Sequence, residues 1–328
     1  MERKFTVWMV GAAILLVVLL LFSAQIGPYS LRWIDVWQGL TGQGSSEPAL
    51  VVRQIRLPRL LAASLVGAGL AVAGAAFQAL FRNPMASPDV LGASSGAGFG
   101  AALALYVGLG QTLVSVTAFI GGLVAVGVAY LISLRVRHNA ILGLVLSGMI
   151  IASLFNATTS LIKLLADPNN QLPSITFWLM GSLNAVSPER LAGAALPILV
   201  GLLVLLASTW PLNLMTLGDD QARSLGVNAR LLRLLVIVAA TLVVAACAAL
   251  VGLVGWVGLV IPHLVRLLVG ADNRWVLPLS ALLGASFLLV IDDLSRAFST
   301  AEIPIGILTA FVGTPVFCTL LLRRGDQL

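Results

Sequence analysis

Long apolar runs alternate with short polar breaks from one end of the chain to the other, and the lengths of the runs select the secondary structure. A helix crossing a hydrocarbon layer about 30 Å thick takes about 20 apolar residues. Runs of that kind cover about 5–26, 57–80, 90–108, 113–134, 140–165, 190–210 and 231–251, then a segment ending near 270, then 275–291 and 303–322. They are continuous rather than alternating, which excludes a transmembrane β-barrel. The pattern predicts an all-α polytopic membrane protein of about ten transmembrane helices, with 1–328 forming one membrane domain.

The breaks carry further detail. Segment 27–56, with Pro28, Trp33, Trp37 and a Gly/Ser tract at 42–46, reads as an interfacial loop with aromatic anchors. Asn83, Pro84, Pro88 and Asp89 end the second helix and cap the third. Gly92, Gly96, Gly98 and Gly100 then open that third helix as close-packing residues; no strand precedes them, as a phosphate-binding turn requires. Residues 175–183 form an amphipathic piece too short to span, lying at the outer interface or dipping into a vestibule. Segment 252–263, with Pro262, breaks the chain between the seventh and eighth helices. A helix, a break and a short helix therefore occur twice. With five helices per half, helices 2–5 and 7–10 would form an inverted repeat, a common transporter device.

Composition agrees with this picture. Hydrophobic residues make up 59% of the 328 and charged residues 10%, and the mean hydropathy is +1.04, which excludes an ordinary soluble domain. The net charge of +6 does not signal nucleic acid, because the basic residues sit singly at the ends of apolar runs. Arg3 and Lys4, Arg135 with Arg137 and His138, and Arg323 with Arg324 place both termini in the cytoplasm. The first run is long for a cleaved signal and reads as a retained helix. Cys247 and Cys318 lie inside apolar runs and read as small buried hydrophobes, and His263 reads as a packing residue.

Candidate chemistry is sparse. Lys4 and Lys163 are the only lysines, and there is no GxxxxGK[ST] loop and no metal-binding or nucleophilic constellation. The chain is therefore expected to catalyse nothing, to bind no cofactor and to take its energy from another subunit or an ion gradient. A polar island, Leu217 to Gly226, lies between two apolar runs within a cytoplasmic loop of about 211–230 and reads as a contact surface. On the opposite side, Arg53, Arg56, Arg59 and Arg296 break the inside bias of basic residues; they either anchor to lipid headgroups or meet an acidic protein. Asp292 and Asp293 would serve a coupling ion or pair with Arg296, and the pairing is favoured.

Five stretches carry a resemblance to a known family: 54–92 (QIRLPRLLAASLVGAGLAVAGAAFQALFRNPMASPDVLG), 178–183 (WLMGSL), 217–226 (LGDDQARSLG), 257–270 (VGLVIPHLVRLLVG) and 304–317 (PIGILTAFVGTPVF). The chain resembles a FecCD/BtuC-family permease, the membrane subunit of type II ABC importers for iron-siderophores, haem and cobalamin. The resemblance implies a BtuC-like fold in the bacterial inner membrane. The implied partners are a second permease subunit (a copy or a paralogue), two ATP-binding cassette ATPases that hold ATP and Mg, and a periplasmic or lipoprotein substrate-binding protein. It assigns docking of that protein to Arg56, Arg59 and Arg296. ATPase coupling falls to Leu217, Gly218, Asp219, Asp220, Ala222, Arg223, Leu225 and Gly226, and the inner gate to Asn139, Ala140, Ile141 and Leu142. Helix 5, the piece at Trp178 and helix 10 would border the route. The expected cargo is an iron-siderophore, with haem, cobalamin and oxyanions as alternatives. The rival from another class is an ion-coupled secondary transporter using Asp292 and Asp293.

Overall fold

The apolar runs become helices, and the polar breaks hold more helix than their composition suggests. The computed structural model describes residues 2–27, 29, 31–41, 47–136, 140–297 and 302–325. In chain order the helices are α1 (Glu2–Ser23), α2 (Trp33–Thr41), α3 (Glu47–Val51), α4 (Leu57–Leu80), α5 (Ala93–Tyr106), α6 (Gln111–Ser133), α7 (Ala140–Leu165) and α8 (Gln171–Met180). They continue as α9 (Pro188–Ala207), α10 (Thr209–Thr216), α11 (Asp219–Ser224), α12 (Ala229–Val251), α13 (Val257–Val269), α14 (Asn273–Ala297) and α15 (Ile305–Gly325). A π-helical turn, Val52–Arg56, joins α3 to α4, and a 3-10 turn, Pro88–Leu91, leads into α5.

The ten predicted crossings correspond to α1, α4, α5, α6, α7, α9, α12, α13, α14 and α15. Among the described residues, seven helices are long and apolar enough to span a membrane. The shorter ones include α5 and α13, of 14 and 13 residues. Where the sequence suggests a loop at 27–56, the chain forms α2 and α3, and helix continues from Glu47 without interruption into α4. The reason is local: Asp35 stands in the first turn of α2 and pairs with Arg32, and Val36 is buried while Trp33, Ile34 and Trp37 are exposed, so this segment is amphipathic. The third helix starts at Ala93 rather than near 90, because Ser87 caps a separate turn by accepting from the amide of Asp89. Pro28, residues 42–46 and Arg137, His138 and Asn139 lie outside the described residues.

α4 is the hub, packing against α14, α12, α13 and α9. Lipid tails are as apolar as leucine, so helices in a membrane associate by close packing rather than by escape from water. The Ala- and Gly-rich sequence of α4 provides for this. A Cβ on Gly67 would overlap the Gly284 carbonyl of α14, and one on Gly74 the Gly258 carbonyl of α13. The glycines that open α5 act in the same way, Gly96 against Gly121 and Gly100 against Thr117 of α6. Cys247 is buried as expected, whereas Cys318 is exposed, because α15 is packed along only part of its surface.

The repeat is visible in lengths and in packing. α4, α5, α6 and α7 have 24, 14, 23 and 26 residues; α12, α13, α14 and α15 have 23, 13, 25 and 21. α4 packs on α13 and α14 of the second half, and α12 packs on α5 and α6 of the first. Counting α4, α5, α6, α7 and α9 as five crossings, as the apolar runs predict, the two series run in opposite directions.

Candidate functional site

The sequence-predicted residues fall at opposite ends of α4. Its N-terminal end carries Arg56 and Arg59, and its C-terminal end leads to Arg82, whose guanidinium lies near Gly218. Twenty-four helical residues separate these ends by about 36 Å.

At the first end, Arg56, Arg59 and Arg296 converge, and all three are buried. Arg59 is bound on two sides. Its Nε donates to Asp292 at 2.9 Å, and its Nη1 and Nη2 donate to the two carboxylate oxygens of Glu302 at 2.7 and 2.9 Å. Arg296 pairs with both expected carboxylates, Asp292 at 3.0 Å and Asp293 at 2.5 Å. Ser23 of α1 donates to Asp293 at 2.5 Å, and the guanidinium groups of Arg56 and Arg296 both donate to the carbonyl oxygen of Ile26. Arg59 and Arg296 thus share the three carboxylates Asp292, Asp293 and Glu302, whereas Arg56 donates to the backbone carbonyls of Ile26 and Tyr29; the formal charges of the three arginines and three carboxylates balance. The cluster ties the ends of α1, α4 and α14 to the segment before α15. Arg53 stands apart, on the exposed side of the π-helical turn. Ser23 and Glu302 are members that sequence reasoning missed. No local pattern marks them, because Glu302 lies 243 residues from Arg59.

At the other end the polar island folds as α11 between two glycines with positive φ, Gly218 at 117° and Gly226 at 85°. Such angles suit glycine alone among ordinary residues. They set the short helix between α10 and α12, in contact with both. Ala222 is fully buried, Asp219 pairs with Arg233 of α12 at 2.8 Å, and Leu217, Asp220, Arg223 and Leu225 are exposed. One face of α11 is therefore anchored to the bundle, and the other offers two leucines and two charges. Arg233 is again a partner from outside the motif. Ala140, Ile141 and Leu142 form the first turn of α7, with Leu142 exposed; Asn139 lies outside the described residues.

Between these ends, three breaks in the helices are knitted together. Ser182 donates to the carbonyl of Val251 at 2.7 Å, and the Ile305 amide donates to Gly181 at 3.0 Å. A cavity of about 690 Å³ opens beside this junction, lined by Met180 of α8, Leu253 and Trp256 of the 252–256 break, and Ile307, Phe311 and Thr314 of α15. Among the described residues, no ionisable side chain lines it. Trp256 holds a positive φ of 69°, unusual for a bulky residue, and packs edge-on to Phe317. His263 packs against the same phenylalanine, the packing role its sequence context predicts. Among the described residues, no group of histidine, cysteine or carboxylate side chains is arranged to hold a metal ion.

The sequence model of the FecCD transport family matches residues 15–323. The molybdate import system permease protein MolB of Haemophilus influenzae is 40% identical, over 97% of this chain and 96% of its own. The hemin transport system permease protein HmuU of Yersinia pestis is 39% identical, over 96% and 95% of the two chains. A solved structure of a metal-chelate type ABC transporter in an inward-facing conformation superposes with a TM-score of 0.88 at 39% identity, covering 96% of this chain and 98% of that one.

Proposed function

The chain belongs to the FecCD transport family as a permease subunit of an ABC importer, and from that premise we propose that it carries a bulky metal chelate, an iron-siderophore first, into the cytoplasm. The observation that carries this reading is the cavity of about 690 Å³ with apolar, aromatic and hydroxyl lining and no charge. Such a surface suits a large cargo whose metal is already wrapped by its own ligands. Tight binding at every stage would only slow passage.

In this reading the protein sits in the bacterial inner membrane with both termini in the cytoplasm. It pairs with a second permease, and a binding protein delivers cargo at the arginine end. Two cassette ATPases sit against α11, where ATP binding draws them together and switches the permease pair between outward-open and inward-open states. The inner gate lies at residues 139–142. Because Arg59 and Arg296 are buried and already paired with Asp292, Asp293 and Glu302, docking of an acidic protein there proceeds by exchange, its carboxylates taking the place of the partly exposed Glu302. The relatedness to a molybdate permease favours a second reading, in which the cargo is an oxyanion.

Uptake of radioactive iron and of radioactive molybdate, measured in cells expressing the complete transporter, separates these cargoes. Iron accumulation that depends on an added hydroxamate or catecholate chelator is expected. Accumulation of molybdate alone would replace the chelate reading by the oxyanion one. Uptake that persists with the catalytic glutamate of the cassette disabled would overturn ATP-driven import.

A further inference from the structure

A second cavity, unconnected with the cluster and the polar island, lies between α6, α9 and α12. It is a groove of about 280 Å³ at the start of α9, the end away from α10 and α11. Its walls are apolar, built from Val116 and Phe119 of α6, Ala194 and Pro197 of α9 and Ala246 and Ala249 of α12. Its mouth is not. Glu189 and Arg190, consecutive in the first turn of α9, both border it, together with Ser115.

The arginine is held in place. It donates to the carbonyl of Ala185 at 2.6 Å, to Ser115 Oγ at 3.2 Å and to the carbonyl of Leu250 at 3.2 Å. These take three of the five N–H donors of a guanidinium; of the other two the Nε–H is enclosed, and one Nη1–H is left for an incoming acceptor. Glu189 is exposed beside it. α9 has 20 residues, a length of about 30 Å that matches the hydrocarbon layer, so its first turn stands at headgroup level while the groove below it faces acyl chains.

We propose that this groove binds one phospholipid with an ethanolamine headgroup, its phosphate on Arg190, its primary ammonium on Glu189 and one acyl chain along the groove. The pairing of charges selects the ligand class. A guanidinium alone would take any phospholipid, and an anionic headgroup would set a further negative charge against Glu189. An ethanolamine presents both signs in the order in which the protein presents theirs. A choline headgroup carries the same charges but has no N–H to donate, so the carboxylate discriminates between the two. The bound lipid would bridge α6 and α9, which each pack on α12 but scarcely on one another.

The test uses the transporter assembled with its ATPase, reconstituted in nanodiscs of equimolar phosphatidylethanolamine, phosphatidylcholine and phosphatidylglycerol, then released into mild detergent and analysed by native mass spectrometry. One retained phosphatidylethanolamine per permease chain is expected. Gly193→Leu should abolish retention by filling the groove, and the backbone there accepts a side chain, because a Cβ at Gly193 meets no atom within 4 Å. Arg190→Gln should reduce retention roughly tenfold, as loss of one charged hydrogen bond does. Glu189→Gln should keep a phospholipid but erase the preference for ethanolamine over choline. Equal retention of all three lipids by the unaltered protein would overturn the headgroup assignment. Retention unchanged in both Gly193→Leu and Arg190→Gln would overturn the site.

Discussion

Arg59 and Asp292, 233 residues apart in sequence, meet at 2.9 Å between the start of α4 and the end of α14 with both side chains buried. Burying charge is costly unless every partner is present, and removing one member leaves the others without compensation. Asp292→Ala is expected to destabilise the subunit by about 3–5 kcal/mol, since two arginines lose a shared partner. Thermal unfolding of the purified complex, followed by aggregation or a thiol-reactive dye, measures it.

Glu302 occupies Arg59 from the more open side, with its side chain 21% exposed. If an acidic binding protein docks on the arginines, Glu302 is the internal competitor it displaces. Glu302→Gln leaves the Asp292 contact intact and should tighten binding-protein association about threefold to tenfold. Surface plasmon resonance against the cognate binding protein reads this directly; weaker or unchanged association would argue against docking by exchange.

The exposed face of α11 carries Leu217 and Leu225 in an otherwise polar turn. Leu225→Glu should release the ATPase from detergent-solubilised complexes while the permease remains folded, because the side chain contributes to no core. Ala222→Glu, at the fully buried position, should instead unfold the turn. Co-purification and protease resistance distinguish the two outcomes.

Close helix packing predicts a sharp contrast between glycines. Gly74→Val drives side-chain atoms into the Gly258 backbone and should cost about 3 kcal/mol or prevent folding, as overpacking does when backbone cannot move aside. Gly127→Val on α6, where a Cβ meets nothing within 4 Å, should be tolerated. Yield of monodisperse protein after gel filtration reports both.

Acid should loosen the junction between α10 and α14. Asp272 accepts from Arg274 at 2.8 Å and from Asn213 at 2.6 Å, and the hydrogen bond from Arg274 holds its carboxyl below the usual carboxylate range. A depressed value in the folded state means that the stabilisation is present above the unfolded value of about 4 and is lost as pH falls through the folded one. Unfolding midpoints measured from pH 6 to pH 2.5 should decline less steeply at the acid end in Asp272→Asn than in the unaltered protein.

Much of the molecule was legible in one dimension because a bilayer imposes a local rule. Each crossing must satisfy its own backbone hydrogen bonds and present an apolar surface, so run length located ten crossings and the break before α5; the break expected over 252–263 is shorter, because α13 already begins at Val257 and carries Pro262 inside it. The pairing of Arg296 with Asp292 and Asp293 was legible for the same reason, since these residues lie within one helical turn of each other. The amphipathic α2 was not, because tryptophans and a glycine-serine tract resemble a loop until burial of Val36 shows which side packs.

The sequence by itself determined an all-helical membrane permease, its family and the polar island that interrupts it. Only the tertiary structure decided that Arg59 is shared between Asp292 and Glu302, that Asp219 is anchored by Arg233, and that Glu189 and Arg190 border an apolar groove. Hydropathy is a property of neighbours along the chain, whereas compensation of a buried charge and the shape of a cavity depend on residues that meet only when the helices pack.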